Sequence, residues 1–419
     1  MAEPPADAAS TATPTDAAAS ASPASTATPP DSARRGKSMR ELIDAGSFYE
    51  ALLLADRLLA VSPHDEELRA TRTRLLYWLG RLDEAEAEAA GLLGRHPDDL
   101  ELLELRARIL QAQGKLAASR RDWLALRNAG DRRPEVTKRV MDLSLALGDA
   151  ATARAAVAEG AILDEDQQMA LARIEHPWLV EISSQTALLP VRRDTGTEST
   201  FWQRFDVAAS YRMSRQATWL AGLSAEQRDL TSTGRRGLSP RLEWYGGLGK
   251  WEGMAHISSG IDAAFLPRLD LRTDWSVPVA DSVGVGVYLR YAQYGPRTAP
   301  TRQLYQIAPS VIWHIGAVDF APGWMFLIKD TGKVLHTGLL KFRWQQDART
   351  AWLWWNYIGP DPNYVERVGT SPGLGVTSLV GLEHWLSPRW GIRASLSRLQ
   401  PVDDFEAFTE FSLSLRGRL

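Results

Sequence analysis

The chain has 419 residues, a formal net charge of −3, 44% hydrophobic and 24% charged residues, and no cysteine. The near-neutral charge speaks against a nucleic-acid footprint. The lack of cysteine excludes a disulfide scaffold, Cys-ligated zinc, iron–sulfur clusters and a cysteine nucleophile.

No run of about 18 apolar residues occurs, so no transmembrane helix is expected. The start, Met1-Ala2-Glu3-Pro4-Pro5, shows neither a basic n-region nor an apolar h-region. Residues 1–36 are almost entirely Ala, Ser, Thr, Pro and Asp. Such a segment buries too little apolar surface to offset its chain entropy and is expected to be a disordered tether.

Residues 37–172 are rich in Leu, Ala, Arg and Glu with helical periodicity. Gly46, Gly80, Gly114 and Gly148 recur every 34 residues. Five residues after each stand Ala51, Ala85, Ser119 and Ala153, and Pro63 and Pro97 follow the first two glycines by 17. A period of about 34 is that of tetratricopeptide helix–turn–helix repeats. Glycine makes the turn, the small residue admits close helix approach, and proline ends the second helix. The third repeat is degraded, with Ser119 in place of alanine and a late Pro134. Such repeats offer a surface to a protein partner. Arg69, Arg72, Arg74, Arg106, Arg108, Arg120, Arg121 and Arg139 allow an acidic partner or polymer, or simply solvated helix faces.

Tryptophan marks a change of material. Only Trp78 and Trp123 of the 16 precede Trp178. From Pro177 the hydrophobic period becomes 2. Val283, Val285, Val287, Leu289 and Tyr291 alternate with small, amphipathic or charged residues, as do Phe411, Leu413 and Leu415 near the end. We read about fourteen such segments. They start near residues 177, 202, 216, 236, 251, 267, 281, 302, 317, 334, 349, 374, 389 and 406. Longer connections are expected at about 188–201 and 358–373.

A soluble sandwich also alternates, but these segments are long, and aromatic residues crowd their ends. Those residues are Trp178, Tyr211, Trp244, Trp251, Trp275, Tyr291, Trp313, Trp344, Tyr357 and Trp390. The expected fold is therefore α + β and multidomain. A repeat solenoid precedes an antiparallel transmembrane β-barrel over 177–419, embedded in outer-membrane lipid.

On this parity the lumen is lined by Arg204, Asp206, Arg212, Glu226, Arg241, Glu243, Asp270, Arg272, Asp274, Arg290, Lys341, Arg343, Glu383, Arg393 and Arg416. Arg228, Glu252, Asp319 and Glu410 join them. Two readings stay open: a ladder of salt bridges that fills the bore, or a hydrated channel for a polar polymer.

The seven histidines are His64, His96, His176, His256, His314, His336 and His384. None stands at HExxH spacing, and no GxSxG, P-loop or helix-opening GxGxxG is present. His256, Ser258 and Glu252 share one strand face and are read as a polar lumen patch rather than a catalytic set. Asp270 and Asp274, with Arg272 between them, are read as a salt-bridge cluster rather than a glycosidase pair. No enzymatic activity, metal, cofactor or nucleic-acid partner is expected.

The C-terminal half resembles the YaiO family of outer-membrane β-barrel proteins from Arg204 to the end. The match runs through Ala217-Thr218, Leu223-Ser224, Arg228-Asp229, Glu243-Trp244-Tyr245 and Trp251. It continues through Arg268 to Arg272, Tyr288-Leu289-Arg290-Tyr291 with Tyr294, and Pro401-Val402-Asp403-Asp404-Phe405. Leu419 stands where such barrels typically end in an aromatic residue.

The resemblance implies an outer-membrane barrel and a mature sequence, or one with a misplaced start. Repeats joined to a barrel look like polysaccharide-export porins, such as the poly-N-acetylglucosamine exporter, and like the Slam translocators of surface lipoproteins. By that analogy the repeats lie in the periplasm and bind a periplasmic or inner-membrane protein, and the likeliest cargo is an exopolysaccharide. The alternative is a protein or lipoprotein secretion or envelope-assembly factor whose occluded barrel acts as an anchor.

Overall fold

A computed structural model describes residues 38–193, 196–214, 216–228, 235–261, 266–295, 302–360, 375–401 and 407–419. The expected tether at 1–36 and most of the expected connection at 358–373 lie outside the described residues. Nine helices come first among the described residues. They are α1 (Met39–Asp44), α2 (Phe48–Val61), α3 (Glu66–Trp78), α4 (Leu82–Arg95), α5 (Leu100–Ala112), α6 (Leu116–Asn128), α7 (Pro134–Leu147), α8 (Ala150–Ala158) and α9 (Glu165–Glu175). None is long and apolar enough to cross a membrane. The chain divides into two compact units at Leu92/Leu93.

The repeat spacing has a direct physical basis. Gly46, Gly80, Gly114 and Gly148 have φ of +71°, +74°, +74° and +77°, the left-handed conformation that glycine adopts without strain. Pro63 and Pro97 stand two residues beyond α2 and α4, where a helix cannot continue. The next helices open on Asp65 and Asp99, also 34 apart, whose carboxylates each accept a backbone N–H at 3.0 Å. Pro134 instead fills the first position of α7, where its missing N–H is harmless.

Ala51, Ala85, Ser119 and Ala153 are all fully buried. Ser119 keeps the small volume, and its hydroxyl donates to the Ala107 carbonyl at 2.7 Å. The degraded repeat thus still satisfies its buried polar group. In the first unit Arg72 lies between Asp56, at 2.7 Å, and Glu88. In the second unit the repeat-equivalent Arg106 meets Asp122 at 2.7 Å. Arg108 pairs with Glu104 and Glu135, and Arg120 with Asp149. These arginines already have acids within the repeats.

Fourteen strands follow among the described residues. They are β1 (Trp178–Arg193), β2 (Gly196–Ser214), β3 (Ala217–Arg228), β4 (Arg235–Leu248), β5 (Trp251–Ser258), β6 (Leu269–Ala280), β7 (Val283–Tyr294), β8 (Arg302–Ile315), β9 (Val318–Lys329), β10 (Val334–Gln345), β11 (Thr350–Ile358), β12 (Gly375–Trp385), β13 (Trp390–Pro401) and β14 (Phe408–Arg418). Each pairs antiparallel with its sequence neighbour, and β1 pairs with β14 to close the barrel.

The connection expected at 188–201 is instead a hairpin. β1 and β2 stay paired out to Arg193↔Gly196. The apolar alternation stops there, at Thr197-Glu198-Ser199-Thr200, while backbone pairing continues. Connections are short at one end of the barrel, with two residues between β4 and β5, β6 and β7, and β8 and β9. Apart from the β1–β2 hairpin they are longer at the other, as from Ser258 to Leu269. α9 leads into β1 at the short-turn end, where Glu165 pairs with Arg349 of the β10–β11 turn.

Two outcomes test the repeat packing. Ala85→Leu forces a large side chain into a closed helix contact and should destabilise the helical unit by about 1–3 kcal/mol, whereas Ser119→Ala should cost about 1 kcal/mol or less. Thermal melts at 222 nm of the full chain in detergent distinguish them. The Asp149 cap adds a pH test. The Thr152 backbone N–H, the Thr152 hydroxyl and the Arg120 guanidinium hold its carboxyl below the usual carboxylate range. A carboxyl depressed in the folded state stabilises above its unfolded pKa and loses that contribution as pH falls through the folded value. Asp149→Ala should therefore cost about 0.5–2 kcal/mol at neutral pH. The deficit should shrink in the same melts below about pH 4.

Candidate functional site: the barrel lumen

The wall has inverted polarity. Asp270, Arg290, Glu410 and Arg416 are buried, at 1%, 5%, 8% and 9% exposure, while Phe411, Leu413 and Leu415 are about half exposed. A water-soluble sheet does the opposite. The apolar side chains therefore form the outer surface, and the charged ones project inward. Trp178, Trp219, Trp251, Trp313, Trp344, Trp352 and Trp390 are exposed on the outer face near the short-turn end. That is the position of an interfacial aromatic girdle. This is an outer-membrane-type β-barrel behind a tetratricopeptide-like helical region.

The comparisons with known proteins agree only in part. A tetratricopeptide-repeat family model matches residues 42–109. No curated protein sequence matches the chain. Among solved structures, the translocator domain of the autotransporter NalP from Neisseria meningitidis is similar at 12% identity, covering 58% of this chain and 88% of that one, with a TM-score of 0.33. The anion-selective porin from Comamonas acidovorans is similar at 9% identity, covering 57% and 98%, with a TM-score of 0.31. MamA from Desulfovibrio magneticus RS-1 matches at 12% identity over 29% of this chain and 67% of its own, with a TM-score of 0.27. Likenesses this distant carry no argument, and the fold rests on the chain's own strand pairing.

The inward charges fall into groups set by register. In the first group Asp206 of β2 receives Arg204 at 3.0 Å and Arg241 of β4 at 2.6 Å. Ser224 donates to the same carboxylate. Arg241 passes over Gly222 of β3, where a Cβ would meet its guanidinium carbon at 3.0 Å. Any larger residue there would crowd the arginine off Asp206. Glu226 accepts from the Trp202 indole at 3.1 Å and lies 3.7 Å from Arg204. Arg241 Nε also reaches Glu243 at 3.3 Å.

In the second group Asp270 of β6 receives Arg272 and Arg290 of β7, both at 2.6 Å. In the third, Glu383 of β12 receives Arg393 of β13 and, at 3.5 Å, Arg416 of β14. Arg416 also meets Glu181 of β1 at 3.0 Å. Repeatedly, one carboxylate is shared by two guanidiniums, which keeps each buried charge compensated.

The remaining predicted lumen residues are held differently. Arg212 donates to the Ser214 carbonyl at 3.3 Å, and Arg343 to the Gln345 side chain at 2.9 Å. Lys341 lies 5.8 Å from the Trp355 ring centre. Asp274 interacts electrostatically with Lys341, four strands away. The Asp270 and Asp274 carboxylates are thus engaged in different interactions. Tyr357 faces the lumen beside the cluster of Ala308, Met325 and Leu339, not the membrane boundary as its place near a strand end suggested.

One constellation differs from the sequence reading. His256 and Ser258 do lie on one inward face of β5, but Glu252 is not their partner, standing opposite Gly247 and Ser276. Glu243 of β4 is, because the register sets it directly against His256. His256 Nδ1 is 3.1 Å from Glu243 Oε1, and its Nε2 is 3.1 Å from Ser258 Oγ. No cluster of three or more His, Cys, Asp or Glu suited to a metal occurs among the described residues.

Asp270→Asn tests the shared-carboxylate arrangement. It leaves two arginines, one of them buried, without their countercharge, and should destabilise the barrel by about 3–5 kcal/mol. The expected readout is a clear drop in the temperature at which the barrel loses its fast, heat-modifiable migration in detergent gels. Arg343→Gln should move that temperature little.

Proposed function

We propose that this protein sits in an outer membrane with its helical repeats in the periplasm, and that its lumen guides an exopolysaccharide outward. The carrying observation is the lumen surface. Paired charges of both signs alternate with inward aromatic rings, among them Trp355 near Lys341 and Trp385, whose ring centre is 3.7 Å from the Arg418 guanidinium carbon. Sugars stack on such rings and hydrogen-bond to such charges.

The orientation is supported by loop lengths. Outer-membrane barrels keep short turns on the periplasmic side, and here α9 enters at the short-turn end. The repeats then serve as a docking surface for a periplasmic or inner-membrane protein. The resemblance to the YaiO family belongs with this reading, in which the barrel works as a conduit.

A second reading, an occluded barrel that anchors a secretion or envelope-assembly factor, has its own support. Asp274 interacts with Lys341, and Tyr245 of β4 with Arg393 of β13, between strands far apart around the wall. Inward groups of distant strands that act on one another across the lumen suit a filled bore.

Planar-bilayer recording of the full chain separates the two. Conduction predicts stable current steps, reduced by added exopolysaccharide, with Lys341→Glu shifting ion selectivity toward cations. Electrical silence from protein shown by heat-modifiable migration to be folded would support the anchor.

A further inference from the structure

We propose that Ser258, His256 and Glu243 form a hydrolytic site on the inner wall of the barrel, which cleaves small acyl esters carried on water-soluble molecules. The proposal does not depend on polymer passage.

The geometry is that of a nucleophile, a base and an orienting acid. Glu243 is held by two neighbours on its own strand: Arg241 Nε lies at 3.3 Å, and the Tyr245 hydroxyl donates to it. A carboxylate held in this way fixes the proton of His256 on Nδ1, which donates to Glu243 Oε1 across 3.1 Å. Nε2 is then the free acceptor, and it faces Ser258 Oγ at 3.1 Å. The acid and the base are well shielded, with side-chain exposures of 11% and 8%, while Ser258 is half-buried.

Other histidines of the barrel lack one component. His314 meets Asp319 at 2.7 Å, and His384 meets the Thr350 hydroxyl at 3.1 Å. Among the described histidines of the barrel, His256 is the one with a hydrogen-bonded carboxylate on one ring nitrogen and a hydroxyl on the other.

Strand register gives the site its electrostatics. Arg241 stands opposite Ser258 on β4, and Arg272 stands opposite His256 on β6. Each neighbouring strand thus carries a cationic residue at the level of the site, a source of positive potential for the negative charge that develops on an attacked carbonyl oxygen. Alternation gives the substrate class. The three side chains point inward, whereas Leu242 and Ile257 on the same strands form the outer apolar face. An ester reaches Ser258 through lumen water and not from the lipid, which favours a small acyl group such as acetyl.

In the reaction, Ser258 Oγ bonds to the ester carbonyl carbon while its proton passes to His256 Nε2. The bond to the alcohol oxygen breaks, and His256 returns that proton to the departing alcohol. Water then attacks the acyl-serine, giving its proton to His256 Nε2. Collapse releases the carboxylic acid and restores the Ser258 hydroxyl with that proton. The net change is ester plus water to acid plus alcohol.

The test uses the full chain folded in detergent, with heat-modifiable migration confirming the fold of each variant. A biotinylated fluorophosphonate should label Ser258, located by peptide mass spectrometry. p-Nitrophenyl acetate should be hydrolysed in preference to p-nitrophenyl palmitate. Ser258→Ala should abolish both signals, and His256→Asn should slow acetate turnover by about 10²–10⁴-fold. Glu243→Gln should lower it while leaving the barrel folded. A folded wild-type protein with no label on Ser258 overturns the proposal. So does acetate turnover that survives Ser258→Ala, or labelling indifferent to loss of His256.

Discussion

A sheet facing hydrocarbon has nowhere to leave an unpaired amide, because no water is present to satisfy it. The seam between β1 and β14 meets that demand. It runs from Leu179↔Arg418 to Leu188↔Thr409, and the amide of Leu419 continues it by donating to the Trp178 carbonyl at 3.0 Å. Once the sheet is closed, alternate residues must face lipid or lumen, and the remaining features follow. The outer positions are apolar because lipid surrounds them. The inner positions are polar, and where they are buried they have to satisfy one another.

That burial explains why the inner charges are arranged as shared carboxylates rather than as isolated pairs. A carboxylate has room for two forked guanidiniums, and a buried arginine needs an acceptor more urgently than an exposed one. Space is made by small residues on intervening strands, as Gly222 does for Arg241. The arginines of the helical repeats solve a milder form of the same problem, at Arg72 and Arg106, with acids on neighbouring helices. In both regions arginine acts first as an internal fastener.

Much of this was legible in the sequence because it depends on period. The 34-residue spacing located the left-handed glycines, and alternation pointed to an inward face on the strands that carry most of the charges, though not to Glu181 of β1. The start of β2 was not legible, because Thr197-Glu198-Ser199-Thr200 carries no apolar alternation although its backbone is paired. Tyr357 was misplaced because an aromatic residue near a strand end reads the same whichever way it points. The partner of His256 was hidden for a different reason. Sequence proximity favoured Glu252 on the same strand. Only the β4–β5 register, set by a tight turn, brings Glu243 across. Alternation says which face a side chain takes, not which neighbour it meets.

The seam also constrains the order of events in a cell. Glu181 and Arg416, which it joins, are 235 residues apart. The first strand can pair with the second at once, but its other edge has to wait open until the last strand has been made. The helical repeats, whose contacts are local, face no such delay. Assembly should begin with folded repeats trailing an unfinished sheet, and the envelope must keep that exposed edge from pairing with anything else until the ring can close.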